Sequence, residues 1–370
     1  MPADTLRVLI APTAYKGTLS PCAVAGAIAA GARQSGRRLQ LTIAPVADGG
    51  DGTVEALHQC LGGDLFEETV LGALGGKQTA RWLRLPAVAV IELASACGIA
   101  GIARESLSPL YAHTYGLGQV IRRCLAGGER KLVVTVGGSA STDGGTGALR
   151  ALGARFLDAA GCELPPGGGP LVDLHHCDLS ALVRLQPLTE LAVATDVQNP
   201  LLGDNGAAFV FGPQKGANRF QCLLLEQGLA RLADLMEQAT GSSRRNEPGA
   251  GAAGGAAFGL ACALGARIIP GFQWIAGLMD LKEKVSACDL VIGGEGKLDR
   301  QLSMGKAVGE LAGMCRQAGK PLWVLAAAVE PGVDWRAYGI EKAVAVPRRG
   351  EMVDREDLSG AARQLLLELP

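Results

Sequence analysis

Aromatic residues are scarce in this sequence, at 4% of its 370 residues. Proteins that bind single-stranded nucleic acid stack bases on aromatic side chains, so the shortage argues against that function. An excess of positive charge is also missing, because 35 Lys and Arg stand against 36 Asp and Glu, for a formal net charge of −1. Nucleic-acid-binding domains generally carry a basic face. The composition therefore predicts no nucleic-acid partner.

Paired cysteine motifs are absent as well. The ten cysteines are dispersed, with no CxxC pair and no histidine at zinc-finger spacing. Such cysteines are typical of small, reduced core residues in a cytosolic protein. The first twelve residues, MPADTLRVLIAP, show no basic segment followed by an apolar one, so no export signal is expected. We expect a cytoplasmic location.

Long hydrophobic runs are also lacking. One uncharged run, residues 248–266, is long enough to cross a bilayer, but glycine and alanine dominate it. Its hydrophobicity is too low for a membrane helix. The sequence therefore predicts no membrane partner.

Glycine, in contrast, is abundant. The 53 glycines are roughly twice the usual ~7% share. Glycine tolerates backbone conformations that other residues avoid. We therefore expect many turns that bring the backbone close to a polar ligand.

The two ends of the chain show a strand, loop and helix alternation. Strands are predicted at 6–10 and 39–47, with helices from Ser20-Pro21 to Arg33 and over 54–61. Short apolar strands return at 289–292, 321–328 and 342–346, with helices over 306–317 and 354–367. Such alternation is typical of a parallel sheet with crossover helices.

The middle of the chain has a different pattern. Residues 65–71, 79–83 and 87–93 suggest three strands in hairpin-like succession. Further along, 207–211 is interpreted as a strand and 251–266 as a helix of small residues. We predict an α/β protein of two domains: a discontinuous Rossmann-like parallel-sheet domain (1–67 plus 276–370) and an inserted α/β domain with a mixed sheet (68–275).

The stretch 131–147, KLVVTVGGSASTDGGTG, is the strongest candidate site. A predicted strand over 132–136 runs into glycines and hydroxyl residues before a predicted helix from 146 towards 152. Backbone N–H groups, hydroxyls and a carboxylate at a helix start suit a phosphate and its metal. A plain glycine-rich turn is the alternative interpretation. The candidate ligand-binding residues here are Gly137, Gly138, Ser139, Ser141, Thr142 and Gly144, with Asp143 as a metal ligand.

Four more polar turns follow predicted strands, and ligands of open parallel sheets bind at the carboxyl ends of strands. Lys16 is a candidate for stabilising a transferring phosphoryl group, with a solvated surface lysine as the alternative. Asp48 and Asp196 are candidates for orienting a substrate hydroxyl as base, and Asp48 is also a candidate metal ligand. Helix capping and an Asx turn are the respective alternatives. The remaining candidates for substrate or phosphate binding are Gly49, Gly50, Gly52, Thr53, Asn199, Glu295, Gly296, Asp299 and Lys306.

Several familiar motifs fail. The G-x-G-x-x-G match at 249–254 follows SSRRNEP rather than a strand, which argues against a dinucleotide site. Arg300 stands where a P-loop ending in Gly305-Lys306 needs its first glycine. The run 137–141 only approaches a nucleophile elbow, and the four histidines lie outside the glycine-rich turns, which weakens a Ser/His hydrolase.

Six blocks, taken together, resemble the bacterial type I glycerate kinase family. In order, they are APTAYKGTLS, VADGGDGT, GGSASTDGGTGALRALG, ATDVQNPLLGDNGAAFVFGPQKGA, GAAGGAAFGLACALGA and VIGGEGKLDRQLSMGKAVGELA. The resemblance runs from about Val8 to Leu325. It implies ATP-dependent phosphorylation of D-glycerate, an organic acid, at the 2-hydroxyl to give 2-phosphoglycerate and ADP, with Mg²⁺. D-glycerate would be the small-molecule partner, and a homodimer stays open as an assembly state.

The chain also departs from the family pattern. Thr13 and Ala14 replace an acid and a serine, Ser141 and Thr142 replace Thr and Asn, and the segment near Ala327 lacks an expected glycine. The matching candidates are Lys16, Asp48, Asp143, Asp196, Asn199, Glu295 and Asp299. Two alternatives to a kinase stay open: a non-catalytic sensor of sugar acids or nucleotides on the same fold, and an NAD-dependent dehydrogenase.

Overall fold

The computed structural model describes residues 5–15, 17–185, 190–300 and 307–369, and the side chains of residues 184 and 185 are outside this description. Two predicted site residues, Lys16 and Lys306, therefore lie outside the described residues.

Strands and helices alternate along most of the chain. The strands are β1 (Leu6–Ile10), β2 (Leu39–Ile43), β3 (Asp64–Leu71), β4 (Lys77–Arg84), β5 (Ala89–Glu92), β6 (Lys131–Thr135), β7 (Arg155–Leu157), β8 (His176–Asp178), β9 (Glu190–Thr195), β10 (Arg267–Pro270), β11 (Leu290–Leu298), β12 (Leu322–Val329) and β13 (Lys342–Ala345). The helices are α1 (Pro21–Gln34), α2 (Thr53–Leu61), α3 (Leu93–Cys97), α4 (Tyr115–Ala126), α5 (Thr146–Ala151), α6 (Ala207–Phe211), α7 (Arg219–Thr240), α8 (Ala252–Leu264), α9 (Gly271–Leu278), α10 (Leu281–Ala287), α11 (Ala307–Ala318) and α12 (Arg355–Leu367).

The chain divides into two compact units. Unit 1 comprises Met1–Asp48, Glu55–Gly62 and Phe272–Pro370, and unit 2 comprises Gly49–Val54 and Gly63–Gly271. These units are defined by contacts within the chain, and the predicted domain boundaries at 67/68 and 275/276 remain a prediction.

Unit 1 contains a five-stranded parallel sheet of order β13-β12-β11-β1-β2. The order of strand succession reverses between β1 and β11, as in doubly wound α/β folds. Helix α1 begins where predicted, with Ser20 as N-cap and Pro21 in the first turn. It packs closely on α12, because a Cβ on Gly31 would lie 2.1 Å from the Ser359 carbonyl oxygen. The parallel sheet confirms the predicted Rossmann-like architecture.

Unit 2 contains a six-stranded mixed sheet of order β10-β9-β6-β5-β4-β3. Strands β5, β6, β9 and β10 are parallel neighbours, whereas β3, β4 and β5 pair antiparallel. The hairpin-like succession and the mixed sheet are therefore confirmed. A separate antiparallel pair, β7 and β8, completes the strands described in this unit.

Two segments differ from the sequence-based expectation. Residues 207–211 form the short helix α6 instead of a strand, because a short apolar run does not distinguish the two by periodicity. Strand β11 continues to Leu298, so Glu295 and Gly296 lie in a strand and not in a loop. Parallel pairing with β12, including Glu295 opposite Ala326, extends this strand.

The small-residue segment before β10 also differs from the expected continuous helix. Within α8, Ala253, Gly254 and Gly255 have left-handed backbone angles, with φ of 52°, 64° and 85°. The right-handed helix therefore starts after Gly255. None of the helices in the described ranges combines the length and apolar character needed to cross a membrane.

Candidate active site

Three backbone hydrogen bonds join four loops of unit 2 at the carboxyl ends of its parallel strands. Gly137 N–H donates to the Gly49 carbonyl over 2.9 Å, and Gly144 N–H donates to the Gly254 carbonyl over 3.0 Å. Gly251 N–H donates to the Asn199 carbonyl over 2.9 Å. Three of the predicted turns, at 49–53, 137–147 and 195–200, are thereby connected with the segment 249–255, which sequence reasoning had assigned to a helix.

Glycine is required where these loops approach each other. A Cβ on Gly137 would lie 2.7 Å from the Gly50 Cα, and a Cβ on Gly254 would lie 2.2 Å from the Ser141 carbonyl oxygen. A Cβ atom does not approach other non-bonded heavy atoms so closely, so a larger residue would push the loops apart. The glycine-rich turns thus serve close backbone packing as well as any ligand contact.

Asp143 stabilises the start of α5. Its Oδ2 accepts hydrogen bonds from Thr114 N, Thr114 Oγ1 and Gly147 N over 2.8, 2.8 and 3.0 Å, and its Oδ1 accepts one from Gly145 N over 3.2 Å. The residue is fully buried. A carboxylate that is satisfied by four protein donors is a poor ligand for a metal ion. This arrangement favours a structural role over the predicted magnesium role, which stays a prediction.

Lys215 contacts the loop at 137–144, and the sequence analysis did not predict it as a site residue. Only 3% of the residue is exposed. Its Nζ donates to Ser139 Oγ over 2.9 Å and to the Ser141 carbonyl oxygen. Burial lowers its pKa from 10.5 to about 8, although Asp143 acts in the opposite direction. The one signal in the sequence was that Lys215 is the only charged residue between Asp204 and Arg219.

Three hydroxyl groups near the end of β6 have no hydrogen-bond partner among the described residues. They belong to Thr135, Ser141 and Thr142, and all three residues are fully or almost fully buried. Buried hydroxyls usually have a partner. These hydroxyls are therefore able to donate a hydrogen bond to a bound ligand or to accept one from it.

Glu92 holds the loop at 49–53 and was also missed. It ends β5, and its carboxylate accepts hydrogen bonds from Gly52 N over 3.3 Å and Val54 N over 2.9 Å. Burial raises the pKa of Glu92 to about 7. The negative charge of Asp51 also raises this pKa, whereas the hydrogen bonds from the two N–H donors lower it. An acidic residue near the end of an otherwise apolar predicted strand (87–93) was the available sequence signal.

The predicted ligand-binding roles of Gly52 and Thr53 meet competing internal contacts. The N–H of Gly52 faces Glu92, and the Thr53 hydroxyl donates to the Gly50 carbonyl over 2.7 Å. Asn199 likewise uses its side-chain amide within its own turn, donating to the Asn205 carbonyl over 2.8 Å. These contacts shape the loops, and direct ligand binding by the three residues stays a prediction.

Asp196 follows β9 directly and is partly exposed. An ideal Cβ on Gly271 would lie 3.4 Å from its Oδ2, an ordinary van der Waals distance, so Gly271 lies directly beside the carboxylate. A partly exposed carboxylate at a strand exit suits contact with a hydroxyl group or a cation.

In unit 1 the predicted residue Glu295 lies on β11, beside β1, where strand succession reverses. Thr13 follows β1, and its hydroxyl lies 2.9 Å from the Gly294 carbonyl oxygen and 3.2 Å from Glu295 Oε2. Ligands of doubly wound sheets bind at this position. Because a hydroxyl has a single proton, Thr13 donates fully to one of these oxygens at a time, and the shorter contact is with the Gly294 carbonyl.

The other predicted residues of unit 1 lie close to this position in sequence. Gly296 N–H donates to Glu295 Oε1 over 3.1 Å. Asp299 is almost buried and has an ion pair with the exposed Lys297, at 3.4 Å. Asp48, at the end of its unit 1 segment, is exposed.

A metal site made by protein side chains alone is not formed in the described ranges. They contain no group of three or more His, Cys, Asp or Glu side chains that could hold a metal ion. Magnesium in kinases usually takes one or two carboxylates and completes its coordination with phosphate oxygens and water. Among the unit 2 candidates, the partly exposed Asp196 fits that requirement better than Asp143.

Known proteins resemble the chain over nearly its whole length. The family described as "Glycerate kinase family" matches residues 8–367. A glycerate 2-kinase of Escherichia coli (strain K12) is 39% identical over 319 residues, covering 86% of this chain and 84% of that protein. A glycerate kinase of Bacillus subtilis (strain 168) is 40% identical over 303 residues, covering 81% and 79%.

A solved structure supports the same conclusion. A crystal structure described as a glycerate kinase 2 from Salmonella typhimurium LT2 matches with a TM-score of 0.81 and 33% identity, covering 98% of this chain and 97% of the other. The matches confirm the resemblance inferred from the six sequence blocks. The chain therefore belongs to the glycerate kinase family.

Proposed function

We propose that the protein transfers the γ-phosphate of ATP to the 2-hydroxyl of D-glycerate, giving 2-phosphoglycerate and ADP, with Mg²⁺ as the metal. Family membership supports phosphorylation of glycerate. The name of the Escherichia coli relative, a glycerate 2-kinase, supports the 2-hydroxyl as acceptor.

The observation that carries the proposal is the linked set of loops in unit 2. Hydrogen bonds join Gly49 to Gly137, Gly144 to Gly254 and Asn199 to Gly251, at the carboxyl ends of parallel strands. Phosphoryl transfer depends mainly on positioning and on electrostatic stabilisation of the phosphoryl oxygens. Loops held together by these bonds supply the positioning, and their unpartnered buried hydroxyls supply hydrogen-bonding groups for the substrate.

The carboxylates have separate roles in this proposal. Asp196 and Asp48 are the two candidates for orienting the substrate hydroxyl and accepting its proton, and each is also a candidate for binding Mg²⁺. Bound Mg²⁺ neutralises charge on the phosphate oxygens. Glu295 carries negative charge and therefore suits a hydroxyl or a cation better than a phosphate.

The direct test measures ADP release with ATP, Mg²⁺ and D-glycerate, and identifies the product by ³¹P NMR. We expect glycerate-dependent ADP release and the resonance of 2-phosphoglycerate. Enolase added alone should convert this product to phosphoenolpyruvate. The resonance of 3-phosphoglycerate would refute the assigned regiochemistry, and ADP release no higher with glycerate than without it would refute the kinase.

Variants test the carboxylates. Asp196→Asn and Asp48→Asn should each lower turnover, by at least tenfold for the residue that acts as base. Asp234→Asn is the matched control, since Asp234 is an exposed carboxylate whose partner is Arg245. Near-normal kcat in both site variants, at saturating Mg²⁺, would remove them from the mechanism.

A further inference from the structure

Lys215 is buried at a position that the proposed reaction does not yet use. In the described part of the chain it is the one buried lysine, with 3% of its surface exposed. Moving an ammonium group out of water is costly unless it is well paired. Its two hydrogen bonds go to the loop at 137–144, to Ser139 Oγ and to the Ser141 carbonyl. These two bonds to the loop partly offset the free-energy cost of burying the ammonium group.

The ammonium group determines how the Ser139 hydroxyl can be used. An ammonium can only donate hydrogen bonds, so Ser139 Oγ must be the acceptor in the 2.9 Å contact. The hydroxyl proton of Ser139 is then left to donate to a different acceptor. Within the ranges that the structure covers, Ser139 Oγ makes no hydrogen bond as a donor. The hydroxyl is thus left as a donor that needs a partner.

The next two side chains show the same need. Ser141 Oγ and Thr142 Oγ1 are buried and have no hydrogen-bond partner among the described residues. Leaving a buried polar group unsatisfied is unfavourable. Together with Ser139, they form a group of buried hydroxyls with unused hydrogen-bonding capacity, on a loop that also contacts the Lys215 ammonium.

We infer that Lys215 is a positioning residue that holds the Ser139 hydroxyl as a hydrogen-bond donor to an anionic group of a substrate, a carboxylate or a phosphate. The hydroxyl must donate, so its partner must be an acceptor, and the nearby ammonium favours a negatively charged one. The inference rests on the proposed function, which supplies two such groups: the carboxylate of glycerate and the phosphates of ATP. Lys215 acts through Ser139 and does not itself contact the substrate.

A double-mutant cycle tests this dependence. The variants are Lys215→Met, Ser139→Ala and the combination, each assayed for kcat and for the KM of ATP and of D-glycerate. We expect each single variant to lower kcat/KM by about tenfold or more, since a hydrogen bond to a charged group is lost. The double variant should be no worse than Lys215→Met, because the lysine acts through the serine. The substrate whose KM rises identifies the source of the anionic group.

Two controls remove similar groups elsewhere in the chain. Lys284→Met removes a half-buried ammonium that contacts the Met279 carbonyl, and Ser35→Ala removes a buried hydroxyl that donates to the Ala32 carbonyl. Both should keep the wild-type kinetics. Thermal melting of all variants separates loss of folding from loss of function. If Lys215→Met does not fold, Lys215→Gln replaces it in the cycle.

The inference is overturned if Ser139→Ala keeps wild-type KM values and kcat, or if the losses of the two single variants multiply in the double variant. Its outcome is separable from that of the proposed function. If the wild type shows no glycerate-dependent ADP release, melting shifts with ADP and with D-glycerate are compared between wild type and Ser139→Ala. A shift that is lost in the variant supports the inference, and equal shifts or none overturn it.

Discussion

Thr114 donates two hydrogen bonds to the same oxygen of Asp143, one from its backbone N–H and one from its hydroxyl, each 2.8 Å long. The Thr114 hydroxyl in turn accepts from Ala148 N over 2.9 Å. Thr114 stands at the start of α4 and Ala148 lies in the first turn of α5. The pair thus ties the beginnings of two helices to the loop that carries the candidate site.

We predict that Asp143→Asn lowers the free energy of unfolding by about 3 kcal/mol, because the new amide group would face N–H donors in a buried position. Chemical denaturation measures this. Thr114→Ser, which keeps the hydroxyl, is the matched control and should stay within about 1 kcal/mol of wild type. Unchanged stability, combined with a higher requirement for Mg²⁺, would instead favour the metal-ligand role.

Glu92 makes stability depend on pH. Its pKa is about 7 in the folded protein and 4.5 as the ordinary value, so the folded state binds more protons than the unfolded state between these values. Stability therefore falls as pH rises from about 4.5 to about 7, by up to roughly 3 kcal/mol. Glu92→Gln removes this contribution, so the variant should gain stability relative to wild type over that window.

Urea denaturation of both proteins at several pH values checks the Glu92 prediction. Glu163→Gln, at an exposed ion pair with Arg155, is the control and should show no such trend. A constant difference between wild type and Glu92→Gln from pH 5 to pH 8 would mean that Glu92 does not change its charge in this range.

The Thr13 hydroxyl contacts both the Gly294 carbonyl and the Glu295 carboxylate in unit 1. Thr13→Val keeps the shape of the side chain but removes the hydroxyl that lies 2.9 Å from the Gly294 carbonyl and 3.2 Å from Glu295 Oε2. We expect a loss of about 1 kcal/mol in stability, and a lower kcat/KM if Glu295 contacts substrate. Thr13→Ser should restore both. Kinetics equal to wild type in Thr13→Val would argue that the hydroxyl serves stability alone.

Two glycine to alanine substitutions should have opposite effects. Gly254→Ala would place a Cβ 2.2 Å from the Ser141 carbonyl at a φ of +64°, so it should lower both stability and activity. Gly26→Ala, in the exposed face of α1 with open space around it, should stabilise by about 0.5 to 1 kcal/mol. Thermal melting and the kinase assay measure both. Equal effects of the two changes would refute the close approach at Gly254.

The sequence by itself determined most of the fold. Alternating strand and helix patterns predicted the parallel sheet of unit 1, and the antiparallel succession at 64–92 predicted the mixed sheet of unit 2. Ser20 and Pro21 marked the start of α1 correctly. These features follow from local periodicity and capping, which a sequence states directly. The six ordered blocks likewise identified the family.

Only the tertiary structure decided how the site is built. Lys215 reaches Ser139 across 76 positions of sequence, Glu92 reaches Val54 across 38, and Thr114 reaches Asp143 across 29. No local pattern encodes such contacts, because burial and pairing arise when distant segments pack. Pairing with β12 also extended β11 past Glu295, beyond its expected end, whereas 207–211 was mistaken for a strand because a short apolar run does not distinguish strand from helix. The sequence therefore predicted where the loops of the site lie, but only the packed structure shows which side chains bind and position those loops.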